Sequence, residues 1–242
     1  MYLIPAIDIL GGKCVRLIQG EYNRYINYED DPSKKAIEFR NAGAEWLHII
    51  DLDGAKIGKC VNIDAIRDIA GQAKDLKIQV GGGVRDRESV TKILEMGITR
   101  VILGTKAVSD FDWFSGVVND FPGKIVLSLD ARGTKIATEG WKKDSSVELI
   151  ELAKKAAQFP LAAIIFTDIN RDGMLSGPNI ERTKNLAESV NLPIIAAGGV
   201  TTIEDIQKLA ETKVISAAIV GRALYEGTIN LADAVEVCKK VN

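Results

Sequence analysis

Histidine is nearly missing from this sequence: 242 residues contain one, His48. Cysteine is scarce as well, with Cys14, Cys60 and Cys238 scattered at no metal-like spacing. A zinc site, which needs clustered Cys, His or carboxylate ligands, is therefore not expected. A small, odd set of cysteines reads as reduced thiols, not as a disulfide framework. An excess of one charge sign is also lacking. Thirty-one basic residues face thirty-three acidic ones, a net charge of −2. No global field would hold nucleic acid or an anionic membrane, so an anionic ligand must be gripped by local donors. No apolar run approaches the ~20 residues of a membrane span. Residues 1–9 have neither the basic start nor the long apolar core of a signal peptide. These absences point to a cytoplasmic chain that binds a small molecule and has no nucleic-acid or membrane partner and no metal.

What is present is order. Eight short apolar runs, 3–7, 46–50, 77–80, 100–103, 125–129, 162–166, 193–196 and 217–220, alternate with amphipathic stretches. Near-continuous hydrophobicity over four or five residues suits strands buried on both faces, as in a parallel sheet. Asp31-Pro32 predicts a helix start and Gly43 its stop. Segments 86–96, 144–158, 179–190 and 202–211 repeat that pattern. Eight βα units without a linker predict an α/β fold of one (βα)8 TIM-barrel domain over 1–242, a length usual for such barrels.

The chain also repeats itself. Val80-Gly-Gly-Gly-Val84 is similar to Ala197-Gly-Gly-Val200, and Ile102-Leu-Gly104 to Ile219-Val-Gly221. Ile50-Asp-Leu-Asp-Gly54 matches Thr167-Asp-Ile-Asn-Arg-Asp-Gly173, and Ala6-Ile-Asp8 matches Ser128-Leu-Asp130. The order is kept at offsets of about half the chain. Two similar half-barrels, about 1–121 and 122–242, follow, and their closure within one chain points to a monomer.

Active sites of this fold lie at the carboxyl ends of the strands. Glycine turns there let backbone N–H groups cradle phosphate. Gly198, Gly199, Gly221 and Arg222 fit one such cradle, and by the repeat Gly82, Gly83, Gly104 and Thr105 fit a second, unless these glycines only serve tight turns. Two cradles predict a substrate with a phosphate at each end. Asp8 and Asp130, each closing an apolar run, are placed as a general base and a general acid across one mouth. Alternatively they cap loops or pair with Arg16 or Arg132. His48 either lines the site or faces the helix layer. Arg85 contacts phosphate or is a solvated helix-start residue. Trp141 closes over a substrate ring or packs its loop down. Asp172-Gly173 reads first as a turn. Asp51 and Asp168 position substrate hydroxyls or pair with basic neighbours. Segments 13–30 and 134–142 are expected to be lid loops.

Several motifs together carry a resemblance over essentially the whole chain. They are Pro5-Ala-Ile-Asp8 with Gly12-Lys-Cys-Val-Arg16-Leu and Gln19-Gly20, His48-Ile-Ile-Asp51, Gln79-Val-Gly-Gly-Gly-Val-Arg85, Ser128-Leu-Asp130-Ala-Arg132, Gly140-Trp141, Arg171-Asp172-Gly173, and Ile219-Val-Gly-Arg222. The sequence resembles the HisA family of histidine-biosynthetic isomerases, whose substrate is the imidazole-carboxamide ribotide ProFAR. The resemblance implies an Amadori rearrangement of an aminoaldose to an aminoketose without a cofactor. It implies Asp8 as proton acceptor at C2, Asp130 as proton donor to the ring oxygen, and Thr167, Asp172, Arg85 and Trp141 as substrate contacts. Rival readings are a HisF-like cyclase, an isomerase that also takes phosphoribosylanthranilate, and a non-catalytic phosphosugar-binding barrel. The first is disfavoured by Ala6, where that family usually has cysteine.

Overall fold

The computed structural model describes residues 1–18, 21–138, 140–141 and 143–241. Gln19 and Gly20 of the motif above, and Lys142 of the expected lid, lie outside the described residues. Eight parallel strands form a closed barrel: Tyr2–Leu10, Trp46–Asp51, Lys77–Gly81, Arg100–Leu103, Ile125–Arg132, Ala163–Asp168, Ile194–Ala197 and Ala217–Val220. Each pairs with the next, and the first pairs with the eighth from Tyr2↔Ala217 to Pro5↔Val220. The eight apolar runs of the sequence are these strands.

Alternation along each strand builds two cores. In the fifth, Ile125, Leu127 and Leu129 point outward beneath the helices. Val126 points inward, where Ile4, Ala6, Ile102, Ile165, Ile195 and Ile219 fill the barrel below its mouth. Four of the five helices predicted from the sequence start where expected, at Pro32, Arg87, Ile180 and Ile203. Asp31 accepts from Ser33 N before helix Pro32–Asn41, and Asp86 accepts from Ser89 N before helix Arg87–Glu95. Thr202 and Asp205 form a reciprocal capping box before helix Ile203–Glu211.

Two excursions differ from expectation. Segments 13–30 and 134–142, expected as loops, contribute antiparallel strands Lys13–Ile18 and Glu21–Glu29, and Lys135–Thr138 and Lys143–Glu148. The last of these takes the start of the predicted helix 144–158, which runs only over Leu149–Ala156. Barrel strands one and five extend past the rim and offer free edges, which the hairpins pair: Asp8↔Val15 and Ala131↔Ile136. Asp8 and Asp130 thus sit inside continuous, paired strands.

Candidate active site

Asp8 and Asp130 are inward-facing positions near the carboxyl ends of strands one and five, and both carboxylates line one cavity of about 250 Å³ there. Burial pushes the Asp8 carboxyl above its usual value. Arg16 works against that rise: its Nη1 donates to Asp8 Oδ2 at 3.0 Å, while its Nη2 donates to Asp172. One guanidinium therefore bridges two carboxylates that come from opposite halves of the chain. Their combined field keeps it charged despite burial.

Burial also raises the Asp130 carboxyl, and hydrogen bonds from Trp141 and Thr167 oppose the rise. The Trp141 indole Nε1 donates to Asp130 Oδ2 at 2.8 Å, and Ser128 Oγ donates to Oδ1 at 3.3 Å. Trp141 reaches this position with φ +70°, held by Arg132 Nη2 donating to its carbonyl at 2.8 Å. His48 faces into the barrel and lines the cavity. Burial pushes its pKa down to about 3, so it is neutral.

Other predicted residues divide between cavity and frame. Thr167, Gly173, Gly198, Gly199, Gly221 and Arg222 line the cavity. Arg222 Nη1 donates to the Gly173 carbonyl at 2.8 Å. Gly82, Gly83, Arg85, Gly104 and Thr105 are not in its lining. The Arg85 guanidinium lies over the Cα of Gly58. Gly82, at φ +106°, leaves no room for a side chain against the Asp51 backbone, and Gly198, at φ +87°, lies close to the Asp168 carbonyl, though less tightly. Gly104 and Gly221 share a backbone shape, φ −120° ψ −101° and φ −109° ψ −98°, each before a short helix.

Asp51 and Asp168 face away from the cavity and organise loops. Asp51 accepts from Gly54 N at 2.8 Å, Val61 N at 2.6 Å, and the Asn62 backbone and side-chain nitrogens at 3.0 and 2.7 Å. Asp168 accepts from Asn170 N at 3.1 Å and Asn179 Nδ2 at 2.7 Å. Sequence reasoning missed Ser128 and Tyr22, which also line the cavity. Ser128 was findable, since it precedes Asp130 by one strand period; Tyr22, in the first hairpin, carried no signal. Among the described residues no cluster of His, Cys, Asp and Glu is placed to hold a metal ion, and no helix is long and apolar enough to cross a membrane.

A (βα)8 barrel whose mouth gathers two desolvated carboxylates, a bridging arginine and a neutral histidine is equipped for proton transfer on a small molecule. Residues 2–230 match the family described as "Histidine biosynthesis protein". The chain is 47% identical over 237 residues, 97% of it and 92% of the relative, to a 1-(5-phosphoribosyl)-5-((5-phosphoribosylamino)methylideneamino)imidazole-4-carboxamide isomerase of Synechocystis sp.. Isomerases of the same name from Thermodesulfovibrio yellowstonii and Nitrosococcus oceani are 47% and 46% identical, covering 99% and 100% of this chain and 98% of each relative. The chain belongs to this histidine-biosynthesis family.

Proposed function

We propose that the chain isomerises the aminoaldose ProFAR to its aminoketose by an Amadori rearrangement, with Asp130 as the acid and Asp8 as the base. Protonated Asp130 gives its proton to the ring oxygen. The C1–O bond breaks, and the amine lone pair forms C=N. Asp8 then takes the C2 proton, leaving an enolamine, which becomes the ketone as a proton is added at C1 and the C2 hydroxyl gives up its own, so that both carboxyl groups return to their starting states. No atom is gained or lost. The supporting observation is that Asp8 and Asp130, both shifted toward the protonated form, line the same cavity from opposite strands. Their surroundings differ: a cation faces Asp8, whereas neutral donors face Asp130. That contrast favours an ionised Asp8 beside a protonated Asp130.

The two phosphates belong at Gly198, Gly199, Gly221 and Arg222 on one side and at Gly82, Gly83, Gly104 and Thr105 on the other. The matched backbone shapes of Gly104 and Gly221 support equivalent cradles. Thr167, Asp172 and Trp141 contact the substrate from the cavity wall, and Arg85 from the rim. No relative named above is a cyclase.

The test is a spectrophotometric assay with ProFAR, run beside phosphoribosylanthranilate. Asp8→Asn and Asp130→Asn should each lower turnover by at least ~100-fold while substrate still binds. Turnover within a few-fold of the native rate in either variant sinks the assignment.

A further inference from the structure

Beneath the two carboxylates the barrel holds a string of polar groups that the proton transfers above leave unused. His48, Gln79 and Arg100 come from strands two, three and four, and Gln79 is in register with both of the others. Gln79 is fully buried. Its Nε2 lies 3.0 Å from His48 Nδ1. Its Oε1 is buried without a hydrogen-bond partner, as is Nε of Arg100, whose guanidinium packs on the Trp46 ring at 3.8 Å.

Which end of the Gln79 amide faces His48 decides where the imidazole carries its proton. If the amide nitrogen donates to Nδ1, the proton sits on Nε2. If the amide oxygen faces Nδ1, the proton sits there and Nε2 offers a lone pair. Arg100 decides between them: a cation on the neighbouring strand attracts the carbonyl end of the amide and repels the amino end. No hydrogen bond joins Gln79 Oε1 to Arg100 Nε, so the preference rests on charge: beside a guanidinium on the paired strand, a carbonyl oxygen is favoured over an amide N–H.

We infer that Gln79, oriented by Arg100, is a positioning residue that holds His48 as the Nε2–H tautomer, so that the cavity floor presents a hydrogen-bond donor to a sugar oxygen. The inference rests on the proposed isomerase reading only for the identity of that oxygen, the C2 hydroxyl that becomes the ketone. His48 donates a hydrogen bond there and transfers no proton. Burial, together with Arg16 and Arg100, keeps the ring uncharged, so its role is the same across the working pH range.

Because His48 is the only histidine, nitrogen–proton NMR correlation on imidazole-labelled protein reads its tautomer without ambiguity. The native protein should show the proton on Nε2. Gln79→Glu replaces the donor with an acceptor and should move a proton onto Nδ1. Gln79→Glu and His48→Leu should each lower kcat for ProFAR about tenfold with KM nearly unchanged, the loss of one hydrogen bond. His48→Gln, which restores an N–H donor, should recover part of that loss. A native spectrum with the proton on Nδ1, or a Gln79→Glu protein with native tautomer and native kcat, overturns the inference. The spectrum needs no substrate, so it stands or falls separately from the reaction assigned to Asp8 and Asp130.

Discussion

Trp141 occupies the left-handed backbone region at φ +70°, a conformation that costs a bulky residue on the order of 1 kcal/mol and persists only when the surroundings impose it. What imposes it is visible at both ends. Arg132 holds its carbonyl, and the indole N–H is spent on Asp130. That hydrogen bond stabilises the carboxylate and so opposes the rise that burial causes. Trp141→Phe keeps the ring and removes the donor, so the Asp130 pKa should climb further. If Asp130 acts protonated and Asp8 ionised, kcat/KM follows a bell whose alkaline limb belongs to Asp130 and whose acid limb belongs to Asp8. The variant should move the alkaline limb to higher pH and leave the acid limb in place. A pH profile of kcat/KM checks this, and an alkaline limb that stays still or moves down counts against the roles given to the two residues.

At the scale of elements, the loops after strands two and six are tied by one device used twice: a buried aspartate at the strand end bonded to an asparagine side chain, Asp51 to Asn62 and Asp168 to Asn179. Asp51→Ala would strand three backbone N–H groups, each worth ~1–3 kcal/mol when left unpaired in the interior, and leave the Asn62 amide with Asp53 as an acceptor. A loss of about 3 kcal/mol in urea unfolding, with little change in the denaturant slope, is expected. A loss under 1 kcal/mol would show that the loop does not depend on this anchor. Both asparagines recur at the repeat offset, so the sequence held this signal, although the repeat was read only on its glycines and aspartates. The eight barrel strands were legible because burial on both faces writes a continuous apolar run. Helix starts were legible because caps are local. The hairpins were not, since their pairing depends on free edges elsewhere in the chain. Arg16 was legible as a neighbour of Asp8 but not as a bridge to Asp172, which lies 156 residues away. Gly82 illustrates a deeper ambiguity: a glycine needed for close approach looks the same in sequence whether a ligand or the Asp51 backbone comes close.

On the scale of the whole molecule, the barrel encloses carboxylates that water would solvate better. The inner and outer cores supply the apolar burial that tolerates this cost. Asp130 shows the consequence for stability. Its carboxyl titrates higher in the folded chain than the 3.8 of an exposed aspartate. The folded state therefore holds the proton more tightly than the unfolded state. The stabilisation this represents is complete below pH 3.8 and is lost as pH rises through the folded value. Asparagine has nearly the same shape, accepts the Trp141 hydrogen bond and carries no charge at any pH. Asp130→Asn should therefore melt higher than the native protein at pH 8, by roughly 2–4 °C for each kcal/mol gained in a chain of this size, and the gap should narrow as the pH is lowered toward 4. Asp8→Asn should show no such gain, because it removes one of the two carboxylates that satisfy the buried Arg16. Thermal unfolding of the three proteins at pH 8 and pH 4 separates these outcomes. An Asp130→Asn protein that melts at or below the native temperature at pH 8 would mean that the carboxylate is well solvated at the mouth, and the acid role assigned to it would lose its physical basis.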